Sequence, residues 1–406
     1  MLSIALFLFW FCAFIIFYSF GGYGLLLWGI LGVQKIFGKK EKVFFPENGD
    51  PEPHVCLFVT AYNESAHVKQ KIENSLDLDY PEDRMQLIWV TDGSTDGTPQ
   101  IAGTYPQVEV YHLPERKGKA HAMNRGISFV KAPIIVFTDS NTLLSKGTIR
   151  AIVREFSNPT IGCVAGEKRI SQDISSTPVT TGEGMYWQIE SWLKKLESRF
   201  YSTIGAAGEI FAIRTRLYSS LEEDTLLDDF MLSMRIAMKG YRVAYAEEAQ
   251  ATEYASSNVH EEMKRKVRIA AGAYQVIVRL SQLLNPFRYR KLTFQYVSHK
   301  MLRWTLAPLA LPLLLLSGGF LSFQSTLYAV SFYQMTTILQ WVFYLIAFAG
   351  YLLQRKKNQS GWFFAPFYFT LMNYAYYPGF IRYSQGKQTV LWEKAQRSGS
   401  IHEGFS

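Results

Sequence analysis

No charged side chain occurs between Met1 and Gln34, and none between Trp304 and Gln354. A helix needs roughly 20 apolar residues to cross a bilayer core. The first run therefore fits one span with room to tilt. The second is long enough for two spans joined by a short turn near Ser322–Ser325. A further uncharged stretch, Asn358 to Ile381, fits one more. A signal peptide is the rival reading of the N-terminus. Its apolar core would be about 7–15 residues behind a basic start. Here the basic residues Lys35, Lys39, Lys40 and Lys42 follow a longer run. The segment reads as an uncleaved anchor.

Basic residues cluster beside these runs: Lys35–Lys42, then Arg288, Arg290, Lys291, Lys300 and Arg303, then Arg355, Lys356 and Lys357. Cytoplasmic flanks of spans carry such an excess. The expected organisation is a membrane anchor over 1–34, a cytoplasmic domain over 43–300, two to three transmembrane helices over 301–385 and a polar tail over 386–406. Three C-terminal spans would place the tail outside, yet Arg382, Lys387, Lys394 and Arg397 argue for inside. The last segment is then either re-entrant or interfacial, or the weak tail bias is overridden. A charged fraction of 19% is low against the usual value of about 25%. A net charge of +8 beside such runs points to an anionic membrane surface or phosphate-bearing substrates rather than nucleic acid. Three scattered cysteines, Cys12, Cys56 and Cys163, exclude a disulfide scaffold and lack metal-ligand spacing.

The middle block alternates short apolar runs with helical stretches. Val55–Thr60, Leu87–Thr91, Val108–His112 and Ile134–Thr138 read as strands. Ala66–Leu76 and Lys117–Val130 read as helices, and Pro99 can open another. This alternation predicts an α/β domain with a parallel sheet and right-handed crossovers. The polar clusters fall at the carboxyl ends of the strands, where ligands bind in open α/β sheets.

Five clusters can carry chemistry. Asp92, in the turn Asp92-Gly-Ser-Thr-Asp-Gly-Thr98, can accept from a base imide N–H while glycines admit the ligand; an Asx-turn capping the next helix is the plain alternative. Asp139 and Asn141 can grip a divalent cation that also holds a diphosphate, or can cap a helix beginning near Ser145. Asp228-Asp229 are adjacent carboxylates among apolar residues, costly to bury and suited to removing a hydroxyl proton. They also suit a helix N-terminus. The run Lys264-Arg-Lys-Val-Arg268 can clamp a diphosphate or lie on anionic lipid. Lys117-Gly-Lys119 is either a phosphate contact or a solvated turn. No phosphate-binding P-loop motif occurs, and the histidines lack zinc spacing.

In this order, Thr60-Ala-Tyr-Asn-Glu64, Asp92–Thr98, Lys117-Gly-Lys-Ala-His-Ala-Met-Asn124, Phe137-Thr-Asp-Ser-Asn-Thr142, Gly205-Ala-Ala-Gly-Glu-Ile-Phe-Ala-Ile-Arg214 and Leu227-Asp-Asp-Phe230 resemble the membrane-bound family 2 glycosyltransferases. That group includes the synthases of cellulose, hyaluronan, chitin and poly-N-acetylglucosamine. The resemblance covers about residues 50–275. It implies a glycosyltransferase A-type nucleotide-sugar-binding α/β domain with flanking transmembrane helices. It assigns Glu64 and Asp92 to the nucleotide pocket, Lys119 near the nucleotide phosphates, Asp139 to the metal, and Asn141 to the position of the second metal acid. Asp229 becomes the catalytic base with Asp228 beside it. Gly205, Gly208 and Glu209 shape the acceptor side, and Arg265 and Arg268 face the leaving group. Two positions depart from the pattern: Asn141 for an acid, and Ile269 for the tryptophan of Gln-x-x-Arg-Trp.

The expected activity is inverting sugar transfer from a nucleotide-sugar, UDP-linked in the first instance, to an acceptor hydroxyl, with Mg or Mn as cofactor. Extracellular polysaccharide or cell-envelope glycan is the expected product. A glycolipid transferase adding one or a few sugars is the alternative, and a non-catalytic transporter or receptor is a third reading. Expected partners are the donor, a glycan or lipid acceptor and the membrane. Nucleic acid is not among them, and accessory export subunits are left open.

Overall fold

The computed structural model describes residues 1–38, 52–171, 178–254, 258–324, 331–353, 364–387, 389 and 391. The basic residues Lys39, Lys40, Lys42, Arg355, Lys356 and Lys357, the turn at Ser325, and Lys394 and Arg397 of the tail lie outside the described residues. The described chain forms two compact units. One takes Met1–Val33, a helix start ending at Tyr186, and Asn258–Gly386; the other takes the block up to Ser171 and Trp187 to the end of the sheet.

The second unit is built on an eight-stranded sheet of order β3-β2-β1-β4-β7-β6-β8-β5. Its strands are β1 (Val55–Ala61), β2 (Met85–Asp92), β3 (Val108–Leu113), β4 (Ile134–Asp139), β5 (Leu143–Leu144), β6 (Ile161–Ile170), β7 (Ile210–Arg214) and β8 (Arg242–Glu253). All four sequence-predicted strands are present, and β1 pairs in parallel with both β2 and β4. The expectation of a parallel sheet holds for β1 to β4 and again for the β6–β8 pair, but not throughout. Strand β7 enters antiparallel to β4, and β6 runs antiparallel to β7. The alternation rule could not foresee this, because β7 follows a long helix and an irregular loop rather than a regular crossover.

The core explains the apolar runs. Leu57 and Val59 of β1, Trp89 of β2 and Val136 of β4 are buried with Val68 and Ile72 of α3 (Ser65–Leu76) and with Ile149 and Ile152 of the helix Thr148–Phe156. Each such aliphatic side chain contributes about 1.5–3 kcal/mol on burial. Strands covered on both faces need not alternate in polarity, so β1 is buried at every position.

In the first unit the helix Leu2–Phe17 packs antiparallel to Leu306–Phe323. Cys12 and Ile15 meet Ala307 and Ala310, while Ala5 and Phe9 meet Leu321. Among the described residues three helical segments are long and apolar enough to cross a membrane: Leu2–Ile36, Leu306–Phe323 and Phe332–Leu353. In the last uncharged stretch the described residues form two short helices, Phe364–Tyr374 and Tyr376–Ser384.

Candidate active site

The loops at the carboxyl ends of β1, β2, β3 and β4 line the candidate site, and each is tied to its neighbour. Asn63 adopts a left-handed conformation (φ 52°), which asparagine tolerates better than most residues. Its backbone N–H donates to Ser94 Oγ at 3.1 Å, and its side-chain oxygen accepts from Thr95 N at 2.8 Å. The Glu64 N–H donates to Thr98 Oγ1, and Ser65 N–H to Asp96 Oδ2, both at 2.9 Å. Glu64 is buried beside His67. Gly93 has φ +65°, and a Cβ there would sit 2.8 Å from the Arg116 backbone nitrogen. Only glycine permits that approach. Arg116 in turn lies 3.6 Å above the Tyr62 ring.

Asp92 is buried and fastens the next loop. Its Oδ1 accepts from Lys117 N at 2.9 Å and its Oδ2 from Gly118 N at 2.7 Å. The Asx-turn that caps the next helix is made by Asp96, whose Oδ1 accepts from Thr98 N at 3.1 Å. Gly118 (φ +96°) ends the loop, so the helix α5 (Lys119–Gly126) starts two residues later than the sequence suggested. It also ends sooner, passing into a short turn at Ile127–Phe129.

Lys119, the first residue of α5, reaches into an acidic group. Its Nζ donates to Asp139 Oδ1 at 2.9 Å and lies 3.3 Å from Asp228 Oδ2. Burial works to lower the Lys119 pKa, but Asp139, Asp228 and Asp229 outweigh it and hold the ammonium above the ordinary lysine value. Asp228 and Asp229 open the helix Asp228–Met238, as the helix-start reading expected. Burial first, and Asp228 second, push the Asp229 carboxyl up to about 7, against the pull of Lys119. Gly208 closes the ring of residues. A Cβ added there would lie 3.5 Å from both Asp229 Oδ2 and Lys119 Nζ, and 3.8 Å from Asp139 Oδ2. Glycine leaves open the space above the carboxylates.

The residues fit a divalent cation. Asp139, Asp228 and Asp229 oppose a single ammonium, and the buried Asp228 Oδ2 accepts no hydrogen bond among the described residues. Hard oxygen donors suit Mg or Mn. Asn141 is half-buried in the turn that follows Asp139. That turn leads into β5 rather than straight into the helix that starts at Thr148, so Asp139 and Asn141 are not its caps. Among the described residues no three His, Cys, Asp or Glu side chains complete a metal site alone.

Two buried lysines behind this surface were not legible in the sequence. Lys71 of α3 donates to Thr138 Oγ1 at 3.0 Å and to the Thr142 carbonyl at 2.8 Å, pinning both ends of the Asp139 turn. Burial lowers its pKa to about 7, with Asp139 opposing. Lys168 of β6 pairs with Glu209 at 2.5 Å and with Glu253. Burial favours the neutral form of Glu209, but Lys168 outweighs it and keeps the carboxyl below its usual range. The Glu209 carbonyl also accepts from Thr138 Oγ1 at 2.9 Å, which joins the Gly205–Glu209 loop to the Asp139 turn. In that loop Gly205 has φ +83°, and a Cβ there would clash with Phe230 at 2.3 Å. The only sequence signal for the two lysines was a charged residue on an otherwise apolar face.

The basic run lies on the helix Val259–Arg279, in the first unit. Arg265 is engaged by Glu183 and, at 3.0 Å, by Glu262. Arg268 lies about one turn further along, half-buried.

A sheet with this strand order and these polar loops is the glycosyltransferase A-type fold. The mannosyltransferase PcManGT from Pyrobaculum calidifontis, solved with GDP-Man and Mn2+, superposes with a TM-score of 0.67 at 23% identity, covering 94% of this chain and 99% of that one. The family model described as glycosyltransferase like family 2 matches residues 51–272, and the chain belongs to that family. Among curated relatives, the beta-monoglucosyldiacylglycerol synthase of Synechocystis sp. is 27% identical over 62% of this chain and 56% of its own length. A poly-beta-1,6-N-acetyl-D-glucosamine synthase of Staphylococcus epidermidis is 24% identical over 78% of this chain and 79% of its own. The match thus spans little more than half of the Synechocystis protein.

Proposed function

We propose that this chain is an integral membrane, inverting glycosyltransferase that moves a sugar from a nucleotide-sugar to an acceptor hydroxyl. Extracellular polysaccharide or cell-envelope glycan is its product. The observation that carries the reading is the meeting of Asp139, Lys119 and the Asp228-Asp229 pair around the space left by Gly208. One end of that space offers charge for a diphosphate, and the other a base.

Asp229 takes the acceptor proton, because its raised pKa makes it a competent base near neutral pH. The hydroxyl oxygen bonds to the anomeric carbon as the bond from that carbon to the diphosphate oxygen breaks on the opposite face. Asp139 and Asn141 would hold a divalent cation, Mg or Mn, whose Lewis acidity offsets charge on the departing diphosphate. Lys119 adds a positive charge from the protein side. The Asp92 loop and Glu64 shape the nucleotide pocket, and Gly205, Gly208 and Glu209 the acceptor side. By the family resemblance, Arg265 and Arg268 would meet the departing diphosphate.

A glycolipid product is the second reading, favoured by the activity named for the Synechocystis relative. Membranes containing the protein, incubated with labelled UDP- and GDP-sugars, test the function. Transfer into a large polymer supports polysaccharide synthesis, a small organic-soluble product supports the lipid reading, and no consumption of any donor overturns both. The catalytic unit lies in the cytoplasm, on the basic-flank argument. A reporter fused near Ser281 and active only outside the cell would contradict that placement.

A further inference from the structure

Lys119 sits where a cation belongs. Its ammonium donates to Asp139 Oδ1 at 2.9 Å and lies 3.3 Å from Asp228 Oδ2. It is also within reach of the space that Gly208 opens beside Asp229 and Asp139. Lys119 is held there by position: it is the first residue of α5, directly after Gly118, whose N–H is fixed by Asp92 at 2.7 Å. Among the described residues no three His, Cys, Asp or Glu side chains are grouped so as to hold a metal ion by themselves. A dication entering alone would meet an ammonium already paired to its main ligand, and would lack the oxygens to displace it.

We infer that Lys119 is the resting counterion of the acidic group, so that the divalent cation binds only together with a nucleoside diphosphate. This inference rests on the nucleotide-sugar reading above. The diphosphate supplies both the missing oxygen ligands and an anionic partner to which the Lys119 ammonium can turn. Exchange then leaves each charge paired: the dication takes Asp139, and Lys119 moves from carboxylate to phosphate. Two effects of opposite sign follow from one side chain. Lys119 opposes cation binding in the absence of nucleotide and supports nucleotide binding in its presence. A residue that only steadied the fold would weaken both.

Mn2+ binding to the full-length protein in detergent, read by calorimetry or by loss of the free-ion paramagnetic resonance signal, tests this without turnover. Wild type is expected to bind Mn2+ weakly alone and at least about tenfold more tightly with UDP or GDP. Lys119→Gln is expected to bind Mn2+ alone at least about tenfold more tightly than wild type, and UDP or GDP more weakly. Lys119→Arg keeps the charge and should keep weak binding of Mn2+ alone. Unchanged or weaker Mn2+ binding by folded Lys119→Gln overturns the inference. If that variant does not fold, the wild type decides: equal Mn2+ affinity with and without nucleotide also overturns it. A wild-type protein that binds neither Mn2+ nor nucleotide fails the site reading itself, a separate outcome.

Discussion

Lys119 Nζ donates to Asp139 Oδ1 at 2.9 Å, linking the N-terminus of α5 to the carboxyl end of β4. The two residues stand 20 positions apart in sequence, beyond the carboxyl ends of β3 and β4, which the parallel pairings of β3 with β2, β2 with β1 and β1 with β4 bring to one sheet edge. Charge balance at this edge governs what the site can bind, and several consequences can be measured.

Gly208 keeps the space above the carboxylates open. Gly208→Val would place branched methyl groups against Asp229 Oδ2 and Lys119 Nζ, each 3.5 Å from a mere Cβ. Transfer is expected to fall at least about a hundredfold, since small misplacements near the reacting atoms are that costly. Thermal stability should change little. A variant with parental activity would show that the acceptor does not pass Gly208.

Asp92 accepts from two backbone N–H groups of the loop that leads to Lys119. In Asp92→Asn one of those donors faces an amide NH2. Such a lost charged hydrogen bond costs about 1–3 kcal/mol, or about tenfold to a hundredfold in nucleotide affinity. Titration of UDP or GDP onto the variant reads this directly, and unaltered affinity would remove Asp92 from the nucleotide pocket.

Lys71 gives stability a pH dependence of known sign. Its folded pKa is lowered to about 7, while an unfolded lysine titrates near about 10.4. Between those values the unfolded chain binds the extra proton, so stability rises with pH through the window and is flat with respect to this group below it. Lys71→Met should lose that rise. Parallel melting curves of parent and variant across the window settle it; identical pH slopes would contradict a lowered Lys71.

Cation dependence is expected from Asp139 and Asn141. Excess chelator should abolish transfer and added Mn2+ restore it, while Asn141→Asp should keep activity or tighten cation binding, a carboxylate being the stronger ligand. Full activity under chelation would exclude the cation.

How much of this was written in the sequence depended on periodicity and on local turns. Strands β1, β2 and β4 were legible because each is a short apolar run closed by a polar turn, and β3 because Val108 and Val110 alternate with polar residues. The antiparallel entry of β7 was not, since Ile210–Arg214 carries no sign of its partner. Asp92, Asp139 and Asp228-Asp229 could be picked out as polar residues at strand ends or helix starts. What each one touches could not: Asp92 turned out to hold the Lys117–Gly118 backbone. Lys71 and Lys168 escaped notice because a lysine on a helix or strand ordinarily points to water, and only the fold shows both to be fully buried.

The central claim is that Asp229 is the base, and one paired experiment addresses it: transfer rate and UDP or GDP affinity, for parent and Asp229→Asn, in the same membranes across pH. The parent kcat/KM should fall about tenfold per pH unit below the Asp229 pKa of about 7, as the carboxylate takes a proton. Asp229→Asn should lose about 10²–10⁴-fold in rate, show no such acid limb, and bind nucleotide as the parent does. Transfer by Asp229→Asn at nearly the parent rate, or nucleotide binding lost in proportion to rate, would contradict the assignment.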